Sequence, residues 1–138
     1  MVKIYGARLH GDRLRRLSSG VVTRGIMDAV VEGAELIKQE VVDSILDGAI
    51  SGPGHVASLP GEPPNADTHE LDQSIHVEKN ESRLMAKVVS DSEKAAPLEF
   101  GTETVEERPH MRPAAQKKRP EARRLIAAAV NKANRGGF

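Results

Sequence analysis

The fold of this chain is decided by residues 23–47, which read TRGIMDAVVEGAELIKQEVVDSILD. Apolar residues recur there at spacings of three and four, the period of one stripe on an amphipathic helix. The stripe consists of Ile26, Val30, Ala34, Ile37, Val41 and Ile45. Thr23 is the predicted N-cap, because its hydroxyl can accept a hydrogen bond from the first turn, and Gly48 is the predicted C-terminal stop.

Further helices are predicted on both sides of this one. The last third of the chain has a helical stripe that runs to about residue 133 and consists of Ala122, Leu125, Ile126, Ala129, Val130 and Ala133. Pro120 has no amide hydrogen, so we expect it in the first turn of this helix or at a kink. Residues 11–17, reading GDRLRRL, predict a short basic helix, and residues 2–9 predict an edge strand or an ordered arm.

A small sheet is predicted between the two main helices. Leu71, Ile75 and Val77 alternate with mostly polar residues, which is typical of a half-buried strand. Residues 83–90 predict a second strand, antiparallel to the first because the intervening KNES reads as a turn. Residues 97–100 are a candidate third strand. The predicted fold class is α+β, with the sheet packed against a long helix in the N-terminal half and a C-terminal helix, in a single domain.

Residues 48–70 lose this periodicity and are rich in glycine and proline. Because proline lacks a backbone donor and glycine tolerates unusual dihedral angles, we expect a long loop without regular structure. Loops of this length inside a domain are usually functional or disordered. We interpret this one as an extended arm that orders against a neighbouring subunit; the alternative is a floppy surface loop.

Charge is segregated along the chain although the formal net charge is zero. Residues 1–25 carry +5, residues 26–107 carry −13 and residues 108–138 carry +8. An acidic body between two basic ends predicts electrostatic complementarity within the fold or between copies. The alternative is that both ends are solvated surface.

Composition and motifs argue against an enzyme. The chain has no cysteine, which excludes thiolate chemistry. None of the five histidines stands in a His-Glu-x-x-His frame, and no phosphate-binding loop or nucleophile elbow is present. His55 and His69 share the loop with Glu62, Asp67 and Glu70, so a metal site there is an alternative hypothesis. We expect no catalytic, cofactor or metal site.

Two further expectations concern targeting. No apolar run reaches the roughly 20 residues that a membrane-spanning helix needs. The N-terminal segment has no apolar run of signal-peptide length either. We therefore expect neither secretion nor membrane contact.

Two basic clusters raise the possibility of non-specific DNA binding. They consist of Arg13, Arg15 and Arg16, and of Lys117, Lys118, Arg119, Arg123 and Arg124. Such clusters can neutralise phosphates, but no aromatic residue is interleaved for base stacking. The alternative is that they form ion pairs with the acidic body of the same or an adjacent subunit.

Two separated stretches carry a family resemblance. Residues 59–75 read LPGEPPNADTHELDQSI, and residues 95–115 read AAPLEFGTETVEERPHMRPAA. In order and separation they resemble the signature of small head–tail joining proteins (tail-completion or neck proteins) of long-tailed double-stranded DNA phages. In that family a Gly-Glu-Pro-Pro loop runs into Asp-Thr-Gly-x-Leu-x-x-Ser-Ile, and Glu-Phe-Gly-Thr runs into Arg-Pro-x-x-Arg-Pro-Ala. This chain departs from the pattern at His69, where the family has Gly, and at His110, where it has Phe.

The resemblance implies a structural role in the virion, in a ring of copies at the neck, six-fold if it matches a tail tube, assembled in the host cytoplasm. Its implied partners are further copies, other neck and tail-tube proteins, and passing DNA. The matching residues form the predicted partner interface: Pro60, Gly61, Glu62, Pro63, Pro64, Glu99, Phe100, Gly101, Thr102, Arg108, Pro109, Arg112 and Pro113. Phe100 is expected to anchor the sheet against a helix, and Gly101 to take a conformation that a side chain would oppose. Pro109 and Pro113 are expected to lead the chain stiffly into the last helix.

Overall fold

The structure, a computed structural model, describes residues 5–47 and 52–138. Within these ranges one antiparallel hairpin lies between helices that precede and follow it, which confirms the predicted α+β class. The elements are α1 (Ala7–Leu17), α2 (Gly20–Leu46), α3 (Glu70–Gln73), β1 (Ile75–Asn80), β2 (Met85–Ser90), α4 (Ala95–Phe100) and α5 (Met111–Asn134). Short 3₁₀ turns lie at Gly52–Gly54 and Glu81–Arg83.

The long helix α2 begins earlier than the sequence pattern predicts. Ser19 is its N-cap, and the Ser19 hydroxyl accepts a hydrogen bond from the Val22 amide at 3.4 Å. The prediction that Thr23 caps the helix is therefore wrong; its hydroxyl donates to the Ser19 carbonyl at 3.0 Å. The helix ends at Leu46, close to the predicted end, and Gly48 lies outside the described residues.

The core lies on two sides of α2. The sheet packs on one part of α2, and α5 packs along another. The main cluster of buried residues consists of Val41, Ile45, Ala66, Leu71, Ile75 and Ala114. Of the predicted α2 stripe, Ala34, Val41 and Ile45 are buried, while the other three residues are half-buried. The sheet thus packs mainly against α2, and the start of α5 contributes Ala114 to the same core.

The hairpin confirms the predicted antiparallel pair and corrects its limits. β1 pairs with β2 in the register Ile75↔Ser90 to Asn80↔Met85. Leu71 is buried as predicted, but from the helical turn α3 and not from a strand. The predicted third strand at 97–100 is wrong, because Ala95–Phe100 form the short helix α4. Ala95 and Ala96 are strong helix formers, and this helix points Glu99 inward.

The two outer helices also differ from the predictions. α1 includes residues 7–9, so the strand predicted over residues 2–9 is wrong there, and residues 1–4 lie outside the described residues. α5 begins at Met111, so Pro120 lies inside the helix and not in its first turn. Pro120 is exposed, and it cannot donate the helical hydrogen bond to the Gln116 carbonyl.

The described part of the 48–70 loop, from residue 52, is irregular for most of its length, as predicted. Its second half is tied to the domain: Ala66 is buried, and its amide donates to the Ile45 carbonyl at 3.0 Å. Pro64 is buried as well. That the loop orders against a neighbouring subunit stays a prediction.

Candidate partner interface

Glu99 caps the N-terminus of α5 from a distant part of the chain. No side chain of the local N-cap residue, His110, caps this helix. The Glu99 carboxylate, 5% exposed, accepts hydrogen bonds from the backbone amides of His110, Met111 and Arg112 at 2.8, 2.9 and 2.9 Å. The Arg112 Nε also donates to it at 3.0 Å. A helix N-terminus has unpaired amides and a partial positive charge, so a carboxylate is the matching partner.

The charge of Glu99 is stabilised strongly. Burial opposes its ionisation, but the amides of His110, Met111 and Arg112 and the Arg112 guanidinium outweigh burial and lower the pKa of Glu99 to about 2. These contacts join Glu-Phe-Gly-Thr to Arg-Pro-x-x-Arg-Pro, two halves of one predicted motif. The sequence itself indicates that α5 needs a cap from elsewhere in the chain, because no Ser, Thr, Asp or Asn stands at its N-cap position.

Phe100 lies on the surface, so the prediction that it anchors the sheet is wrong. Its side chain is 67% exposed, and the Arg112 guanidinium lies 5.3 Å from the ring centroid. Because α4 turns Glu99 inward, the next residue faces outward. His110, in contrast, is fully buried, with Nδ1 3.2 Å from the Arg108 carbonyl and 3.3 Å from Glu99 Oε2.

The two sequence stretches meet at this place. The Gly61 amide donates to the Glu107 carbonyl at 2.9 Å, and Arg108 Nε donates to the Ser58 carbonyl at 3.2 Å. Beside these contacts Leu59 is 67% exposed, as Phe100 is. We name this region the motif surface: residues 58–64 together with residues 99–113. It presents the exposed apolar side chains of Leu59 and Phe100 on a backbone that hydrogen bonds hold in place.

The predicted interface residues take three kinds of position. Pro64 and Glu99 are buried, so their side chains act inside the chain. Half-buried are Pro63, Gly101, Arg108 and Pro109, and exposed are Pro60, Gly61, Glu62, Phe100, Thr102, Arg112 and Pro113. Pro109 precedes α5 and Pro113 lies in its first turn, where the missing amide hydrogen has no helical partner to lose.

Gly101 has the positive φ, 73°, that its predicted turn requires. We expect Gly101→Ala to lower the free energy of unfolding by about 2 kcal/mol, because the combination of φ 73° with ψ 166° is accessible almost only to glycine. A Cβ there would also lie 3.2 Å from the Glu107 nitrogen and the Val105 oxygen. Urea denaturation measures the change. Gly61→Ala is the control: φ is 84° there, but a Cβ would meet nothing within 4 Å, so a loss as large as that of Gly101→Ala would contradict the role of the 105–107 contact.

The first basic cluster precedes α2, and the second lies on α5 beside the middle and the C-terminal half of α2. Arg13, Arg15 and Arg16 belong to α1, which precedes the N-terminus of α2, whereas Lys117 of α5 pairs with Glu40 near its C-terminus at 2.5 Å. Lys118 pairs with Glu121 at 3.4 Å, and Arg15 with Asp12. Arg119, Arg123 and Arg124 are exposed and form no ion pair within the described part of the chain.

The candidate metal ligands form local pairs. His55 Nδ1 lies 4.0 Å from Asp67 Oδ1, and His69 Nδ1 lies 3.4 Å from Asp72 Oδ2. Across residues 5–47 and 52–138, no group of three or more His, Asp or Glu side chains is arranged to hold a metal ion. Of the helices in the same ranges, none combines the length and apolar character that crossing a membrane demands.

Comparison of the chain with protein-family models, with curated proteins and with solved structures yields no match.

Proposed function

We propose that this protein is a structural component of the neck of a long-tailed phage, where copies form a ring that joins or completes the tail at the head–tail interface. The supporting observation is the motif surface. The two stretches that resemble the neck family are separate in sequence, yet the Gly61–Glu107 and Arg108–Ser58 hydrogen bonds hold them side by side. A signature that reads as two motifs in the chain is thus one surface in space.

The chemistry of this surface suits assembly better than catalysis. Its one strongly stabilised charge, Glu99, is fully engaged by α5 and has no position from which to act on a substrate. Exposed Leu59 and Phe100, with Arg112 beside the ring, resemble the apolar and arginine-rich centre of a protein interface. Small neck proteins assemble by repeating one heterologous contact around an axis, which such a surface can provide.

Electron microscopy of lysates tests the proposal. A phage or prophage that carries this gene is compared with its deletion, which is complemented with the wild-type chain, with Phe100→Ser or with Val130→Ser. Val130 is the matched control, because it is also an exposed large apolar residue but lies on α5 outside the motif surface. We expect filled heads beside unjoined or irregular tails in the deletion and with Phe100→Ser, and at least a tenfold loss of infectious particles. Wild type and Val130→Ser are expected to restore normal particles.

Normal infectious particles from the deletion would contradict the proposal. Non-specific DNA contact would then be the leading function, because the exposed, unpaired Arg119, Arg123 and Arg124 lie together on α5. Equal loss with Phe100→Ser and Val130→Ser would contradict the motif surface as the interface.

A further inference from the structure

α1 contacts α2, and its Leu17 is half-buried, but most of its surface is exposed. None of its residues is buried, and its side chains of Leu9 and Leu14 are 75% and 53% exposed. An isolated helix of 11 residues is marginal in water, since most helical stability in proteins comes from packing an apolar face. A surface that covers Leu9 would supply further packing. α1 also carries four arginines and one aspartate, a net charge of +3.

A groove of complementary charge lies at the other end of α2. It is open, encloses about 830 Å³ and runs between the end of α2, the loop and α5. Its acidic residues are Glu40, Asp43, Asp47 and Glu62, and with Lys117 they give a net charge of −3. Leu46, 40% exposed, and Pro63 add apolar surface. The groove therefore offers both kinds of contact that α1 needs.

The helix of one chain cannot reach the groove of the same chain. α2 rises about 1.5 Å per residue, so Glu40 lies about 30 Å and Asp47 about 40 Å from its first residue, Gly20. α1 is about 16 Å long and is joined to α2 by two residues, which add about 7 Å at most. Only α1 of another molecule can fill the groove.

We propose that α1 of one copy packs into the acidic groove of a second copy. Leu9 contacts Leu46 and Pro63. Arg8, Arg13 and Arg16, which lie within about 100° of Leu9 around the helix axis, face the carboxylates of the groove. Helix and groove are different surfaces, so the contact is heterologous and repeats from copy to copy into a ring or a filament. The biological setting of this inference rests on the proposed neck function, but its test uses purified protein.

Sedimentation velocity on the full chain measures the association at about 50 mM and 500 mM salt. We expect wild type to self-associate at low salt and to dissociate as salt rises, because charge steers the contact. Arg8→Glu/Arg13→Glu and Asp43→Lys/Asp47→Lys are each expected to weaken association at least about tenfold, since like charges then face each other. A mixture of the two variants restores association, because each reversed surface meets its opposite.

The control variant is Arg83→Glu/Lys87→Glu, which makes the same change of charge on two exposed residues of the hairpin. It is expected to associate as wild type does. Circular dichroism verifies that all variants fold; Asp43→Lys/Asp47→Lys places cations at the C-terminus of α2, where the helix dipole favours them.

Three outcomes would overturn the inference: a wild-type chain that stays monomeric at low salt, two variants that associate normally, or a mixture that does not associate. A monomer that floats with phosphatidylglycerol vesicles would instead assign α1 to an anionic membrane surface. If purified protein does not self-associate in this way, the neck proposal is still tested independently by the deletion phenotype. If the deletion yields normal particles, the neck proposal fails, but sedimentation still shows whether α1 and the groove bind each other.

Discussion

Replacing Glu99 with alanine is expected to lower the free energy of unfolding by about 3 kcal/mol, which urea denaturation measures. The carboxylate accepts three backbone amides and the Arg112 Nε, and alanine leaves the amides at the start of α5 without this acceptor. The depressed pKa leads to the same magnitude. A fall from 4.5 to about 2 corresponds to roughly 3 kcal/mol of preferential stabilisation of the charged form.

The same pKa fixes the pH dependence of this contribution. The pKa of Glu99 is lower in the folded state, so its stabilisation is complete above pH 4.5 and is lost as the pH falls from about 4.5 to about 2. Glu99→Gln has no carboxyl to titrate. The difference in the free energy of unfolding between wild type and Glu99→Gln should therefore shrink as the pH falls through this interval. Parallel urea titrations of both proteins from pH 6 to pH 2 measure this difference.

Glu107→Ala is the matched control for Glu99. Glu107 pairs with the same arginine at 3.6 Å, but its side chain is 56% exposed. Exposed ion pairs contribute little, so we expect a loss of less than about 1 kcal/mol. Equal losses for the two substitutions, or a Glu99→Ala chain as stable as wild type, would show that Glu99 is not the cap on which α5 depends.

Gly33→Leu is the second substitution with a large expected effect. A Cβ on Gly33 would lie 3.1 Å from the Ala122 Cβ and 3.4 Å from its Cα, so α2 and α5 touch at two small buried residues. Leucine adds four carbons where not even one fits without movement. We expect the free energy of unfolding to fall by about 3 kcal/mol, because overpacking a close contact forces the helices apart. Thermal and urea denaturation measure it.

Two controls separate packing from helix propensity. Gly20→Leu makes the same substitution in the first turn of α2, where a Cβ would meet nothing within 4 Å, and is expected to change stability by less than about 1 kcal/mol. Gly33→Ala/Ala122→Gly moves one methyl group across the contact and leaves the summed propensity unchanged, so it is expected to stay within about 1 kcal/mol of wild type. A Gly33→Leu chain as stable as Gly20→Leu would contradict a close crossing.

Most of the fold was predictable because it depends on local periodicity. The α2 stripe and the α5 stripe have helical spacing, and the alternation around Ile75 and the turn before the second strand identify the hairpin. The errors fall where a short segment has no decisive period. The pattern of residues 97–100 fits a strand as well as it fits a helix. Ser19 and Thr23 are both good N-cap residues, so the sequence alone does not fix where α2 begins. The resemblance to neck proteins also came from the sequence and remains the basis of the functional proposal.

The sequence by itself determined the α+β class, the two long helices, the hairpin and the irregular loop, because each is specified by neighbours a few residues apart. Only the tertiary structure decided the contacts between distant residues. It placed Glu99 on the amides of α5, joined the two motifs through hydrogen bonds of Gly61 and Arg108, and put Phe100 on the surface and Gly33 against Ala122. Such contacts depend on how helices and loops are arranged in space, and spacing along the chain carries no record of that arrangement.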